Sequence, residues 1–227
     1  KLTTFAPIFI FFGALYFFFA KKDKNKNKGL AALGFGMLFM GLTMMSMAVA
    51  PLAENESAKN AFLAFGKYPL LGILTGLLLT IAWQSSSTTT GMLIAFASAG
   101  LMNLNSSIYI IFGMEIGTCV TALLASIGGK LSSKRLAVGH TLFNVIGVII
   151  ALAMAPLYLK YIPMLTDNVA RQVANTHTIF NLINAILFLP FIPIFTKFLT
   201  KIIPGKDYVK KDTKNLDKNL LALPHMA

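Results

Sequence analysis

Along the chain, long apolar stretches alternate with short polar ones. Residues 2–20 are apolar and rich in aromatic side chains (Phe5, Phe9, Phe11, Phe12, Phe17, Phe18, Phe19). Residues 29–50, 136–159 and 173–196 repeat the pattern, each near the roughly 20 residues that carry a helix across a bilayer. Between them the middle of the chain is less regular. An apolar arm over 69–83 meets Gln84-Ser85-Ser86-Ser87-Thr88-Thr89-Thr90, an amide followed by six hydroxyl side chains, and a second arm runs over 91–102. Both arms are short for a full crossing, and a longer apolar stretch follows at 107–128. The pattern predicts an all-α integral membrane protein, a multi-span helical bundle with a helical hairpin over 69–103 that enters the bilayer and returns.

Composition sharpens this reading. Of the 227 residues 56% are hydrophobic and 12% charged, against about 25% charged in a typical soluble domain. The mean hydropathy is +0.71. Cys119 is the single cysteine, which excludes an intramolecular disulfide framework. The net charge of +12 does not point to nucleic acid, because the lysines cluster beside apolar spans. The positive-inside rule produces that placement, so the lipid bilayer is the partner it implies. The stretches 21–28 and 130–135 and the tail 205–227 are then cytoplasmic, and the less basic connections 51–68 and 160–171 lie outside.

Parity constrains the middle. The chain must pass from outside at residue 68 to inside at residue 130, an odd number of crossings. A re-entrant hairpin plus one crossing through 107–128 satisfies this, and so do three complete crossings. No basic leader or small-residue cleavage site precedes the first apolar segment. So abrupt a start is expected of a piece of something longer.

The candidate chemistry lies in three places. The hydroxyl run offers neutral oxygen ligands, together with carbonyls freed where a helix breaks, and hard cations such as Na⁺ prefer oxygen. Broken helices in transporters aim carbonyl ends at the cation and N-termini at anionic groups, so one tip can hold both. The bland alternative is that the hydroxyls bond back to helical carbonyls and pack. Glu115, in Gly113-Met114-Glu115-Ile116-Gly117-Thr118-Cys119-Val120-Thr121, is the one carboxylate deep in an apolar segment. Such a residue marks a functional position by default, with a protonated structural carboxyl as the alternative. Thr118 and Thr121 lie on roughly its side of the helix, and Gly113 and Gly117 permit close helix approach. The third signal is a repeat, His140-Thr141-Leu142-Phe143-Asn144 and His177-Thr178-Ile179-Phe180-Asn181, 37 positions apart. Without a third ligand near them these histidines read as polar helix–helix contacts rather than a metal site. The glycines Gly29, Gly34, Gly36 and Gly41 and the methionines Met37, Met40, Met44, Met45 and Met47 of the second span read as packing. No nucleophile–base pair, metal cluster or phosphate loop is present, and hydroxyls without an activating base are poor nucleophiles. The chain reads as a non-enzyme without a cofactor or transition-metal site.

Together these residues resemble the sodium/phosphate cotransporter family, the animal type II transporters and their bacterial relatives. Gln84-Ser85-Ser86-Ser87-Thr88-Thr89, the Gly-x-x-Ile-Gly-Thr segment and the two His-Thr-x-Phe-Asn motifs, in that order, carry the likeness from about residue 1 to 204. The resemblance implies two inverted repeats, each with a Gln-Ser-Ser-Ser re-entrant hairpin, meeting near the membrane centre. Only one such signature is present, so the chain resembles the C-terminal repeat, cut at both ends or naturally split. A missing N-terminal repeat or a second copy, as in a homodimer, would complete it. Residues 215–221 resemble the linker toward a PhoU-like domain. By this resemblance Gln84, Ser85, Ser86, Ser87 and Thr88 bind inorganic phosphate. Gln84, Ser86, Ser87, Glu115 and Thr118 bind Na⁺ as the coupling ion. The implied activity is sodium-coupled phosphate symport by alternating access in the plasma membrane. Glu115 stands where the family usually has Asn, which keeps open a different small anion or a non-transporting phosphate-sensing subunit.

Overall fold

The computed structural model describes residues 3–205; Lys1, Leu2 and residues 206–227, with the expected linker, lie outside the described residues. In chain order the helices are Ala6–Phe19 (α1), Asp23–Val49 (α2), Glu56–Lys67 (α3), Pro69–Trp83 (α4), Ser86–Ser98 (α5) and Leu104–Gly117 (α6). Cys119–Ser126 (α7), Leu131–Ala153 (α8), Ala155–Leu165 (α9), Val169–Phe188 (α10) and Ile192–Ile202 (α11) complete the set. No strand occurs among the described residues. Four stretches are long and apolar enough to cross a membrane: Asp23–Glu54, Leu104–Ser126, Leu131–Ala153 and Val169–Ile202.

α6 is the axis of the molecule. Leu104, Ile108, Ile110, Ile111, Phe112 and Met114 are all at most 6% exposed, so this helix is enclosed on every side, as an apolar circumference demands. Small residues let α4 lie directly against it. A Cβ on Gly76 would strike the Ile110 carbonyl, and one on Gly113 would strike the Ile73 carbonyl. The expected close approach at Gly113 and Gly117 is therefore made, and its partner is α4. The other end of the core joins Phe112 to Tyr158 of α9 and Phe180 of α10.

α1 and α2 form a separate antiparallel pair. Gly13 sits on the Leu33 backbone, Gly29 on Phe17, and Gly36 on Ala6 and Ile10. Gly34 and Gly41, also expected at contacts, meet nothing within 4 Å. The methionines expected to pack largely do not: Met37, Met40, Met44 and Met47 are exposed. The reason is that among the helices α2 packs chiefly against α1 and α5, so most of its circumference is left to lipid or to another protein surface.

Several boundaries differ from the sequence expectation, each for a local reason. The basic stretch 21–28 is mostly helix, because α2 begins at Asp23. Lysine stems favour helix and carry their charge outward from the first turns. The connection 51–68 contains α3, started by Asn55, whose side chain accepts from the Ser57 and Ala58 amides. It stops before Pro69, which disfavours helical backbone at Tyr68, and α3 and α4 meet at 108°. The stretch 136–159 is two helices, α8 from Leu131 to Ala153 and then α9, whose first turn carries Pro156. α9 runs on to Leu165 and shortens the outer connection expected over 160–171. The stretch 173–196 is α10, a short turn over Leu189–Phe191 and α11.

Candidate functional site

The hydroxyl run lies at a break between two helices. Gln84 ends α4 in the left-handed region (φ 51°, ψ 28°) and is the one non-glycine residue with positive φ among the described residues. Ser85 follows with extended backbone and caps α5, its hydroxyl accepting from the Thr88 amide at 3.2 Å and the Thr88 hydroxyl at 3.0 Å. A left-handed glutamine costs about 1–3 kcal/mol, and such strain collects at functional positions. The chain reverses here. Buried Thr80 and Thr89 share a hydroxyl–hydroxyl bond of 3.2 Å, whereas nine residues of straight helix would separate them by about 13 Å.

The hydroxyls divide by role. Thr89 is turned inward, bonding the Ser85 carbonyl at 3.1 Å as well as Thr80. Back-bonding of this kind holds the turn together. Thr90 reaches the Met114 sulfur of α6 at 3.2 Å, one residue from Glu115. Ser87, Thr88 and Thr90 line a cleft of about 480 Å³ between α2, α5 and α10, with Met37, Leu38 and His177 among its other walls. Of the residues expected to bind phosphate or sodium, Ser87 and Thr88 line this cleft. Gln84, Ser85 and Ser86 lie at the break itself, with Gln84 exposed. The cleft is thus headed by the first turn of α5, where backbone amides lack helical partners and the dipole favours anions.

Glu115 is 5% exposed on α6. Its Oε1 accepts from Asn181 Nδ2 at 2.9 Å, and the His177 ring nitrogen Nε2 lies 3.1 Å from the same oxygen. Both partners come from the second His-Thr-x-Phe-Asn motif, on α10. The first motif meets the next turn of the same column. Asn144 Nδ2 donates to Cys119 Sγ at 3.3 Å and to the His140 carbonyl at 3.1 Å. Thr118 joins α6 to α7, and its hydroxyl donates to the Met114 carbonyl at 2.9 Å. The expectation that the histidines make helix–helix polar contacts holds for His177, through its ring. His140 takes part through its backbone carbonyl. No group of three or more His, Cys, Asp or Glu side chains able to hold a metal forms among the described residues.

Sequence reasoning left three contributors unnamed as site residues: Thr80, Thr90 and His177. His177 had a signal, since it belongs to a repeat whose other polar members are also partnered. Thr80 had none, because a threonine four residues before the break looks like any other hydroxyl in an apolar arm.

A model of the Na⁺/Pi-cotransporter family matches residues 1–47 and 48–185. The chain belongs to the Na⁺/Pi-cotransporter family. Its relatives include the uncharacterized protein YqeW of Bacillus subtilis, 29% identical over 72% of this chain and 53% of that protein. The putative inorganic phosphate export protein YjbB of Escherichia coli is 25% identical over 66% of this chain and 28% of its own length. The rat sodium-dependent phosphate transport protein 2A is 34% identical over 54% of this chain and 20% of its own length. The chain thus spans about half the length of the Bacillus relative and less of the other two. No solved structure matches it. The family is one of transporters, and the apolar helices fit a membrane protein.

Proposed function

We propose that this chain supplies one half of a sodium-coupled symporter of inorganic phosphate that works by alternating access in the plasma membrane. The observation that carries this reading is the helix break at Gln84–Ser85, which turns a row of hydroxyls and the first turn of α5 toward a cleft in a chain of this family. Helices α4 and α5, of 15 and 13 residues, are each about 20 Å long. A hydrocarbon core of about 30 Å exceeds both, which supports reading them as a re-entrant hairpin. Gln84, Ser85, Ser86, Ser87 and Thr88 bind the anion in this reading. Gln84, Ser86, Ser87 and Thr118 supply oxygen to Na⁺, and the Glu115 carboxylate adds the charge that favours a cation nearby.

The family match falls in two stretches that meet at residues 47 and 48. Within this reading the chain is the C-terminal one of two inverted repeats. The missing N-terminal repeat, or a second copy in a homodimer, then closes the site over the exposed side of α2. The lysines of 21–28 and 130–135 face the cytoplasm with the tail, as the positive-inside rule requires. One observation favours a second direction of transport: the E. coli relative is named a putative phosphate exporter. Uptake of radiolabelled phosphate by proteoliposomes holding the full-length protein tests both. Accumulation driven by an inward Na⁺ gradient supports symport, and phosphate efflux indifferent to Na⁺ supports export.

A further inference from the structure

We propose that the groove between the start of α8 and α11 binds one anionic phospholipid, with its headgroup phosphate on Arg135 and an acyl chain along the groove. This requires that the chain lie in a membrane, not that the cleft beside Ser87 carry phosphate.

α8 and α11 run antiparallel here: Leu131 faces Gly205, Arg135 reaches Ile203, and Gly139 faces Leu199. Arg135 holds the end of α11. Its Nε and Nη2 donate to the Ile203 carbonyl at 3.0 and 2.9 Å, and Nη2 also donates to the Gly205 carbonyl at 2.9 Å. A guanidinium has five N–H donors, and these bonds use three of them. The two on Nη1 go to neither carbonyl. Arg135 is half-buried, yet no carboxylate among the described residues lies within ion-pair distance of it. No Asp or Glu occurs from 116 to 166 or from 168 to 206. A partly buried charge without a counter-charge is costly, so Arg135 is set to receive an anion.

Beside Arg135 the same two helices leave a groove of about 500 Å³. Leu136 and Phe143 of α8, Phe195 and Leu199 of α11 and Ala122 of α7 wall it, and its only polar side chains are Arg135 and His140. Gly139 lets α11 come close, since a Cβ there would stand 2.8 Å from Leu199 Cδ1. From Arg135 to Phe143 the wall runs about 12 Å of helix, which suits part of an acyl chain below a headgroup. Leu136 is 75% exposed, so the groove opens sideways, where a membrane protein meets lipid. The surrounding charge fits the same ligand. Lys130 and Lys134 lie just before Arg135, and Lys197 and Lys201 are on α11. Basic pockets between membrane helices take anionic headgroups, and basic segments beside a span draw anionic lipid. A free phosphate ion would meet the charge but leave the apolar groove unfilled.

The test titrates the full-length protein in detergent with phosphatidylglycerol or phosphatidylcholine and counts retained lipid by native mass spectrometry. The wild type is expected to retain one phosphatidylglycerol at concentrations at least about fivefold below those needed for phosphatidylcholine. Arg135→Gln should bring the two lipids within about twofold of each other. That change also loosens the hold on Ile203, so Ala122→Phe gives a second route: it fills the groove, leaves Arg135 in place and should weaken phosphatidylglycerol as well. Lys24→Gln combined with Lys26→Gln removes charge from the other basic stretch and should leave the preference unchanged. Asp207, outside the described residues, is the rival counter-charge, and Asp207→Asn should leave the preference unchanged too. Equal retention of the two lipids by the wild type overturns the proposal. So does a folded Arg135→Gln or Ala122→Phe protein that binds phosphatidylglycerol as the wild type does. A preference lost equally in the Lys24/Lys26 double variant would show unspecific attraction, and one strengthened several-fold by Asp207→Asn would assign Arg135 to the tail. Displacement of the lipid by millimolar inorganic phosphate would place a free anion there instead. Each of these three results also overturns it.

Discussion

His140 and Asn144 on α8 and His177 and Asn181 on α10 hold the same places in one repeated motif, yet they meet different chemistry. The first pair closes on a thiol: Asn144 is 4% exposed and bonds Cys119 and its own helix. The second closes on a carboxylate, Asn181 donating to Glu115 and the His177 ring lying 3.1 Å from the same oxygen, and its histidine opens onto the cleft. Glu115 and Cys119 are one helical turn apart, so a single column receives both motifs. The difference shows that the repeat itself is a docking device. What becomes functional depends on the acceptor the column offers at each level and on whether the histidine also reaches a polar space.

Removing the column should remove both halves of the contrast. Gly113→Leu drives a side chain into the Ile73 carbonyl of α4. Since backbone rather than a flexible side chain is in the way, we expect a cost of at least about 3 kcal/mol, read as loss of monodisperse protein in detergent. Asn144→Leu attacks the first motif alone. It deletes the bonds to Cys119 and to the His140 carbonyl, and should cost about 1–3 kcal/mol, seen as a lower melting temperature with the phosphate KM unchanged. Glu115→Gln attacks the second motif and should give the reverse pattern. The amide oxygen still accepts from Asn181, so stability should move by less than about 1 kcal/mol, while a higher Na⁺ concentration is needed for half-maximal uptake. Cys119→Ser is the mildest change, because serine keeps an acceptor for Asn144 at similar volume. A shift of under about 1 kcal/mol with normal transport is expected; a large transport defect there would place function in the first motif as well.

The sequence was most legible where polarity conflicts with its surroundings. Gln84 to Thr90 announced a helix break because six hydroxyls have no place in an apolar arm, and Glu115 announced a partnered site because a lone carboxylate in such a helix must be satisfied. The glycines of α4 and α6 were legible in part: spacing exposed Gly113 and Gly117, but Gly76 shows its role only once the two backbones touch. α3 was hidden because Glu56, Lys59 and Lys67 read as loop chemistry, while Asn55 and Pro69 delimit a helix by local stereochemistry. The pairing of Glu115 with residues 62 and 66 positions later was not legible at all. Periodicity places residues on a face, and nothing in it says which faces meet. The exposed methionines of α2 fail as packing for a related reason: a sequence pattern marks a contact surface without showing whether its partner is within the same stretch of chain.

The comparison matters most if the cleft beside His177 handles phosphate with sodium, and one measurement bears on that directly. Radiolabelled phosphate uptake should be followed in proteoliposomes of the full-length protein, with an inward Na⁺ gradient or with choline replacing Na⁺, for the wild type and Ser86→Ala. The account predicts accumulation that requires Na⁺ and falls at least about tenfold in Ser86→Ala, the loss of roughly 1.4 kcal/mol or more of binding. Uptake that is equal in choline, or that survives Ser86→Ala undiminished, would contradict it.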